Sequence, residues 1–390
     1  MEKYLLLHYG EIGLKKSNKD YFVKKLQRFL KLKLDRNFKG NFVVRHSLGR
    51  LTVKLPEKID INKYVDVVEK VFGVRNFKFV LEGSTDLKKL AGQIWDNMPK
   101  FEQKPANFVV RCKRSMVLPF HSVDAERELG ALLLDEGLGL PVKLKNAELT
   151  IDVEFFNNHG FFSFKKYDGA GGLSVNSQGK LVSLISSGID SPVASYLMMR
   201  RGARIIFTHF HGYPYTDKDE MAQVKQLVKI LSGYQQHTKL YLLPFGQVQK
   251  AIATNLDIPG KIRTVLYRRM MVRIAEKIAR QEKARGLVTG DSLGQVASQT
   301  SENMFAIHDA STIPLFQPLI GFDKEETVKL AEKIGTFEIS KLPCKDSCTM
   351  FMPRKPELRA NVYDVRRYEE NLDVEKWVEK VVDEAEVILL

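Results

Sequence analysis

The sequence predicts a multidomain protein of mixed class, in which an α+β N-terminal half precedes a doubly wound α/β domain with a parallel sheet. The first observation is length, because 390 residues exceed what one hydrophobic core of about 150 residues organises. The second is a Gly/Ser-rich stretch at residues 168–178, which we interpret as a linker. The third is a change after residue 179, where strands begin to alternate with longer helices.

Residues 1–75 are predicted to form a ferredoxin-like domain. Apolar periodicity predicts a strand at 3–9, a helix at 17–35, paired strands at 42–45 and 50–55, a helix at 60–71 and a strand at 76–81. The resulting order, β-α-β-β-α-β, is the ferredoxin-like pattern. This assignment accounts for the first part of the N-terminal half.

Residues 76–167 are predicted to form a second small α+β domain. Its expected elements are a helix at 86–98, a strand at 108–113, a helix at 123–136 and a hairpin of strands at 148–156 and 161–166. Residues 179–390 form the predicted α/β domain. It begins with a strand at 181–185, a loop and a helix that ends near residue 201, and charged helices are expected after residue 356.

The composition restricts the class of protein. No run of 18 apolar residues occurs, and the short apolar stretch at the N-terminus is followed by no small-residue cleavage site. Three cysteines are too few for a disulfide framework. We therefore expect a cytoplasmic protein with no membrane association.

Positive charge is concentrated in the first half of the chain. Residues 1–180 contain 32 basic and 21 acidic residues, whereas residues 181–390 contain 29 and 26. The first fifty residues alone contain 13 basic and 4 acidic residues. Such an asymmetry is typical of a module that binds a polyanion such as nucleic acid.

The loop between the first strand and first helix of the α/β domain has the properties of a phosphate site. Its sequence, SSGIDSP at residues 186–192, combines small residues with three hydroxyl groups. The helix that follows offers unpaired N–H groups and the positive end of its dipole, and Pro192 suits its first turn. Asp190 is compatible with bound phosphate if it holds Mg²⁺ or a proton donor.

Two common nucleotide motifs are missing from this position. The chain has no Gly-x-x-x-x-Gly-Lys-Ser/Thr, and the first turn lacks Gly-x-Gly-x-x-Gly. The loop instead resembles the PP-loop, Ser-Gly-Gly-x-Asp-Ser, of ATP pyrophosphatases. It departs from that pattern at the second position, where Ser187 replaces glycine.

Four further motifs resemble one family of PP-loop enzymes, the tRNA 4-thiouridine synthetases (ThiI). They are YGEIGLK at 9–15, HFHGYP at 209–214, GDSLGQVASQT at 290–300 and PLIGFDK at 318–324. The resemblance covers nearly the whole chain and implies a ferredoxin-like domain, a THUMP domain and a PP-loop domain of the adenine nucleotide α-hydrolase type.

The resemblance implies a reaction and a set of site residues. In this family ATP adenylates the O4 atom of uridine 8 in tRNA, and sulfur then displaces AMP. It assigns adenylation to Asp190, through Mg²⁺, and to Lys324. Together with the loop chemistry, it predicts that ATP contacts Leu184, Ile185, Ser186, Ser187, Gly188, Ser191, His209, Phe210, Arg268, Gly290 and Gln299.

The same resemblance assigns sulfur chemistry to Cys348, either as a sulfur carrier or as the thiol that attacks a persulfide. Many relatives carry its disulfide partner in a C-terminal rhodanese domain, but only 42 residues follow Cys348 here. We therefore expect an external donor, which is a cysteine desulfurase, another persulfide carrier or sulfide, with Cys344 as a local redox partner. An iron–sulfur cluster is not expected, because it normally needs three or four cysteines and Cys112 lies in the THUMP region. The family also implies a homodimer, and a role in thiamine biosynthesis stays open.

Basic residues of the N-terminal half are candidate RNA contacts, which would supply affinity through phosphates and little base reading. The resemblance assigns the THUMP domain to the acceptor end of tRNA. The candidates are Lys15, Lys16, Arg28, Arg45, Arg50, Arg111, Lys113 and Arg114.

Two alternative functions stay open at this point. One is another PP-loop tRNA-modifying enzyme, of the 2-thiouridine or lysidine type, against which the THUMP-like half argues. The other is a non-catalytic THUMP RNA-binding protein, against which Asp190, Lys324 and Cys348 argue.

Overall fold

The computed structural model describes residues 1–215, 219–343, 351, 353 and 355–390. The chain divides into two compact units, Met1–Ser174 and Val175–Leu390. Within the described residues, no helix is both long enough and apolar enough to cross a lipid bilayer.

The first unit contains one eight-stranded sheet and four α-helices. Its strands are β1 Lys3–Tyr9, β2 Val44–Ser47, β3 Arg50–Lys54, β4 Val74–Gly83, β5 Phe108–Arg114, β6 Leu149–Phe156, β7 His159–Ser163 and β8 Lys166–Asp168. Its helices are α1 Lys19–Asn37, α2 Ile61–Val68, α3 Leu87–Asp96 and α4 Ser122–Asp135. Asp60 and Asp86 begin α2 and α3 by accepting hydrogen bonds from backbone N–H groups of the first turn.

Strand β4 joins the two parts of this unit into a single sheet of order β2-β3-β1-β4-β7-β6-β5, and β8 pairs with β4 outside this order. It pairs with β1 along nearly its whole length, and its last residues pair with β7 of the second part. The alternation of β6 turns Ile151, Val153 and Phe155 toward α3 and α4, where they form an apolar core with Leu90 and Leu129. The two parts of this unit therefore share backbone hydrogen bonds across β4.

The described residues of the second unit form a six-stranded sheet and helices. Its strands are β9 Lys180–Leu184, β10 Arg204–His211, β11 Lys239–Pro244, β12 Leu287–Val288, β13 Leu315–Phe316 and β14 Glu386–Leu389. Its helices are α5 Asp190–Arg200, α6 Asp219–Ser232, α7 Gly246–Thr254, α8 Arg263–Gln281, α9 Ser301–His308, α10 Lys324–Ile334, α11 Phe337–Ser340, α12 Val362–Glu370 and α13 Val374–Asp383.

The strand order of this sheet is β13-β12-β9-β10-β11-β14. All neighbouring pairs are parallel except β11 with β14. Strand β10, which follows β9 in the chain, lies on one side of β9, and the later strand β12 lies on its other side. In doubly wound sheets this switch point is where ligands bind, beyond the carboxyl ends of the strands. The fold class predicted from the sequence is confirmed, but β14 is an unpredicted strand after the two C-terminal helices.

Candidate active site

The loop between β9 and α5 is held in shape by its own serine side chains. The backbone N–H of Ser186 donates to Oγ of Ser191 over 2.9 Å, and the two hydroxyl oxygens lie 3.2 Å apart. The N–H of Gly188 lies 3.3 Å from Oγ of Ser186 and donates to it. Ser187 does not adopt a positive φ, so replacing the glycine of the PP-loop pattern at this position introduces no left-handed strain.

Gly290 lets the segment after β12 pack directly against this loop. A Cβ atom on Gly290 would lie 2.7 Å from the backbone N of Ser191 and 2.8 Å from the carbonyl carbon of Asp190. Both neighbours are backbone atoms at the start of α5, so they cannot turn aside as a flexible side chain would. The sequence requires glycine here because no other residue allows this approach.

Asp190 and Lys324 meet across the loop although they lie 134 residues apart in sequence. The Lys324 ammonium donates to Oδ1 of Asp190 over 2.7 Å, and the Gln295 side chain donates to Oδ2 over 2.9 Å. Lys324 is the first residue of α10, which begins at Asp323 in a capping box with Glu326. This cap directs Lys324 toward the start of α5.

A cavity of about 210 Å³ opens beside the loop. Ten of the eleven residues predicted to contact ATP line this cavity, and Ser187 does not. The ten are Leu184, Ile185, Ser186, Gly188, Ser191, His209, Phe210, Arg268, Gly290 and Gln299. Asp190 lines it as well. The fold therefore brings together side chains from four separate segments at the switch point of the sheet.

His209 is a buried, neutral imidazole at the end of β10. Its Nδ1 lies 3.1 Å from the carbonyl oxygen of Ile185, which can only accept, so Nδ1 carries the proton. Burial lowers the pKa of His209 to about 4, and this outweighs the opposite effect of the Ile185 hydrogen bond. Nε2 is buried and has no hydrogen-bond partner within the described residues.

Asp291 is a buried carboxylate that sequence reasoning did not select. Its Oδ1 accepts from Arg268 over 2.5 Å and from Gln299 over 3.0 Å, and its Oδ2 accepts from Thr289 over 2.6 Å. Burial alone would raise the pKa of Asp291, but the Arg268 charge and these hydrogen bonds lower it to about 2. Asp291 is therefore ionised at neutral pH.

Other side chains of the cavity were also not predicted, namely Glu220, Met271 and Thr289. A sequence signal existed for Asp291 and Thr289, because both border Gly290, which the sequence had already singled out. Cys344 and Cys348 lie outside the described residues, so the predicted sulfur chemistry remains a prediction.

The candidate RNA-binding residues of the first unit differ in exposure. Lys16, Arg28, Arg45 and Lys113 are exposed. Lys15, Arg111 and Arg114 are partly exposed and contact Glu11, Glu126 and His121, respectively.

Arg50 is an exception among these residues, because only 7% of it is exposed. Its guanidinium donates to Oγ of Ser115 over 2.7 Å, lies 3.6 Å from Glu154 and stacks over the Phe156 ring. The guanidinium is therefore engaged by neighbouring side chains of the same unit, and we do not include Arg50 in the RNA-binding surface.

Comparison with known families accounts for both units. The family profile described as "Thiamine biosynthesis protein (ThiI)" matches residues 176–374, the ThiI ferredoxin-like domain matches 4–77 and the THUMP domain matches 85–164. The chain belongs to the ThiI family. The resemblance drawn from the motifs is thereby confirmed.

Relatives of this ThiI chain match it over nearly its whole length. A protein of Caldanaerobacter subterraneus subsp. tengcongensis named "Probable tRNA sulfurtransferase" is 36% identical over 98% of this chain and 99% of the relative. A Thermus thermophilus protein of the same name is 38% identical over 100% of this chain and 94% of the relative.

One solved structure resembles this ThiI chain from end to end. It is a 4-thiouridine synthetase in complex with RNA and bound ATP, with a TM-score of 0.87, 30% sequence identity and full coverage of both chains. PH1313 from Pyrococcus horikoshii shares the fold, with a TM-score of 0.65, 21% identity and coverage of 86% of this chain and 100% of the other.

Proposed function

We propose that this ThiI chain is an ATP-dependent tRNA sulfurtransferase that converts uridine 8 of tRNA to 4-thiouridine. The observation that carries the proposal is the Asp190–Lys324 pair, which stands beside a cavity lined by the serine loop and the residues predicted to contact ATP. The names of the full-length relatives and the ATP- and RNA-bound structural relative support the same reaction.

The loop would bind the phosphates of ATP. Ser186 and Ser191 offer hydroxyl donors, and α5 offers the N–H groups of its first turn and the positive end of its dipole. Lys324 and Arg268 bring two cations to the same region. Because the charge of the phosphates builds up when pyrophosphate leaves, fixed donors and cations at this place stabilise the transition state.

The reaction balances in two steps. The O4 atom of uridine attacks the α-phosphorus of ATP, a P–O bond forms, and the bond to pyrophosphate breaks. Sulfide then attacks C4 of the base, and the C4–O4 bond breaks to release AMP with the original O4 atom. With a persulfide donor, the terminal sulfur makes the same attack; a thiol then attacks the donor's inner sulfur, so that the S–S bond breaks, a disulfide forms and one sulfur atom stays on C4. The first step is needed because a carbonyl oxygen leaves poorly and a phosphate ester leaves well.

Asp190 is the side chain that would hold Mg²⁺. Both oxygens of Asp291 already accept hydrogen bonds from donors that are buried or partly buried, whereas the two partners of Asp190, Lys324 and Gln295, are exposed side chains that can move. Mg²⁺ is usually bound by one or two carboxylates together with substrate phosphates, and the described residues contain no larger cluster of metal ligands. When bound, Mg²⁺ would neutralise part of the phosphate charge.

The first unit would hold tRNA through the exposed residues Lys16, Arg28, Arg45 and Lys113. The proposed sulfur source is an external persulfide or sulfide donor, with Cys348 and Cys344 in the roles given by the family. We also propose that the enzyme acts in the cytoplasm, where its tRNA substrate is found, and that it works as a homodimer.

The test is incubation of the protein with tRNA, ATP, Mg²⁺ and a sulfide or persulfide donor, followed by nucleoside mass spectrometry. We expect 4-thiouridine at position 8 and one AMP per thiolated tRNA. A thiolated base that carries sulfur at C2, or lysidine, would favour another PP-loop enzyme. Binding of tRNA without any AMP release would leave an RNA-binding protein.

A further inference from the structure

Asp291 lines the cavity and accepts four hydrogen bonds, although the proposed reaction gives it no role. Its donors are Arg268, Thr289, Gln299 and Gln317, at 2.5, 2.6, 3.0 and 3.2 Å. Only 4% of Asp291 is exposed. A buried carboxylate that is this fully paired fixes the side chains around it, because breaking any one bond leaves a charge poorly compensated.

The orientation of the Gln299 amide follows from this carboxylate. An ionised carboxylate only accepts hydrogen bonds, so Gln299 must turn its NH₂ group toward Asp291. Its Oε1 then points away from Asp291, and this oxygen is buried without a partner among the described residues. Gln299 is 93% buried and lines the cavity, so Oε1 is an unsatisfied buried acceptor in a side chain that borders the cavity.

His209 supplies a second acceptor of the same kind in this cavity. The Ile185 carbonyl fixes its tautomer, and Nε2 is left as a buried lone pair. Phosphate oxygens are themselves acceptors, so the triphosphate cannot satisfy either atom. The part of ATP that carries donors is the nucleoside, through its ribose hydroxyls and its 6-amino group.

We propose that Asp291 is a positioning residue that fixes the Gln299 amide, so that Oε1 accepts a hydrogen bond from an O–H or N–H donor of the nucleoside. This inference rests on the proposed function, because it takes ATP as the occupant of the cavity. It assigns to Asp291 a part in nucleotide selection that it performs through Gln299.

The experiment measures the dissociation constants of ATP and of three analogues that each lack one donor. These are 2′-deoxy-ATP, 3′-deoxy-ATP and the triphosphate of purine riboside, which has no 6-amino group. An unpaired buried acceptor weakens binding about 10-fold, so we expect the wild-type protein to bind at least two analogues that much more weakly, one for Gln299 and one for His209.

The variants assign each loss to a residue. In the Asp291→Asn protein the new amide no longer forces Gln299 into one orientation. The analogue that lacks the donor to Gln299 should therefore bind within about 3-fold of ATP, which is the Gln299-linked loss of affinity reduced. The analogue that lacks the donor to His209 should still bind as weakly as before, so the His209-linked loss persists. Gln299→Leu should abolish the same loss. Gln317→Ala is the matched control, because it removes one bond to Asp291 from a side chain outside the cavity lining, and both losses should remain.

Other outcomes overturn the inference. It is wrong if Asp291→Asn binds ATP and both analogues still bind about 10-fold more weakly than ATP. It is also wrong if the affinities for both analogues change together in this variant. Finally, it is wrong if the wild-type protein binds every analogue as well as it binds ATP. If Asp291→Asn does not fold, Gln299→Leu decides, and a retained loss there refutes the role. A wild-type protein that binds no ATP refutes the proposed function itself, which is a separate result.

Discussion

The close approach of Gly290 to the serine loop makes Gly290→Ala the sharpest perturbation of this site. The added methyl group would lie 2.7 to 2.9 Å from backbone atoms of Asp190 and Ser191, where ordinary contacts begin near 3.4 Å. The start of α5 must therefore move by about 0.7 Å. Overpacking of this kind costs about 1–3 kcal/mol of stability, and a displacement near 1 Å at a reacting centre costs about 100-fold in rate.

We expect Gly290→Ala to form adenylated tRNA about 10- to 100-fold more slowly while it retains its tRNA affinity. The assay is release of labelled pyrophosphate from ATP in the presence of tRNA, with the thermal midpoint measured in parallel. Gly321→Ala is the control, since an added Cβ there meets no atom within 4 Å and φ is not positive. Wild-type rate and midpoint in Gly290→Ala would refute the packing argument.

Three further perturbations test other parts of the account. Asp190→Asn should reduce adenylation at least about 100-fold and leave tRNA affinity within about 3-fold, as measured by AMP release and a filter-binding titration; a lost affinity for tRNA would remove Asp190 from its catalytic role. The folded-state pKa of His209 is about 4 against an ordinary 6.5, so the stability it contributes is present above pH 6.5 and is lost as pH falls toward 4. Between pH 7 and pH 5 the wild-type protein should lose about 2 kcal/mol relative to His209→Gln in denaturant unfolding, and parallel curves would contradict the buried neutral imidazole. Replacing Lys113 and Arg114 by glutamate should weaken tRNA binding and flatten its salt dependence, and an unchanged slope would exclude that strand from the RNA surface.

Local patterns were sufficient to predict most of the second unit near the site. A buried strand, a small-residue loop with hydroxyls and a helix beginning near Pro192 are all features of contiguous sequence. Asp323 with Glu326 three residues later is likewise a local signal for the start of α10, where Lys324 lies. The meeting of Lys324 with Asp190 came from the family resemblance, because no local rule relates residues so far apart in sequence.

The features that sequence reasoning missed depend on tertiary context. Arg50 is as basic as its neighbours in the sequence, and only the folded structure shows that its guanidinium contacts Glu154 and Phe156, about a hundred residues further along the chain. Strand β14 has only four residues, and it forms where β11 offers it an open sheet edge. In the sequence Asp291 looks like an ordinary surface acid, and only the structure shows that it is buried and paired with Arg268.

The central claim is that the O4 atom of uridine takes up AMP at the serine loop and leaves with it. The direct test uses tRNA labelled with ¹⁸O at O4 of uridine 8, incubated with the protein, ATP and a sulfur donor, with the products examined by mass spectrometry. The account predicts that the label appears in AMP, in proportion to the 4-thiouridine formed, and that pyrophosphate is unlabelled. Unlabelled AMP accompanying 4-thiouridine would contradict it.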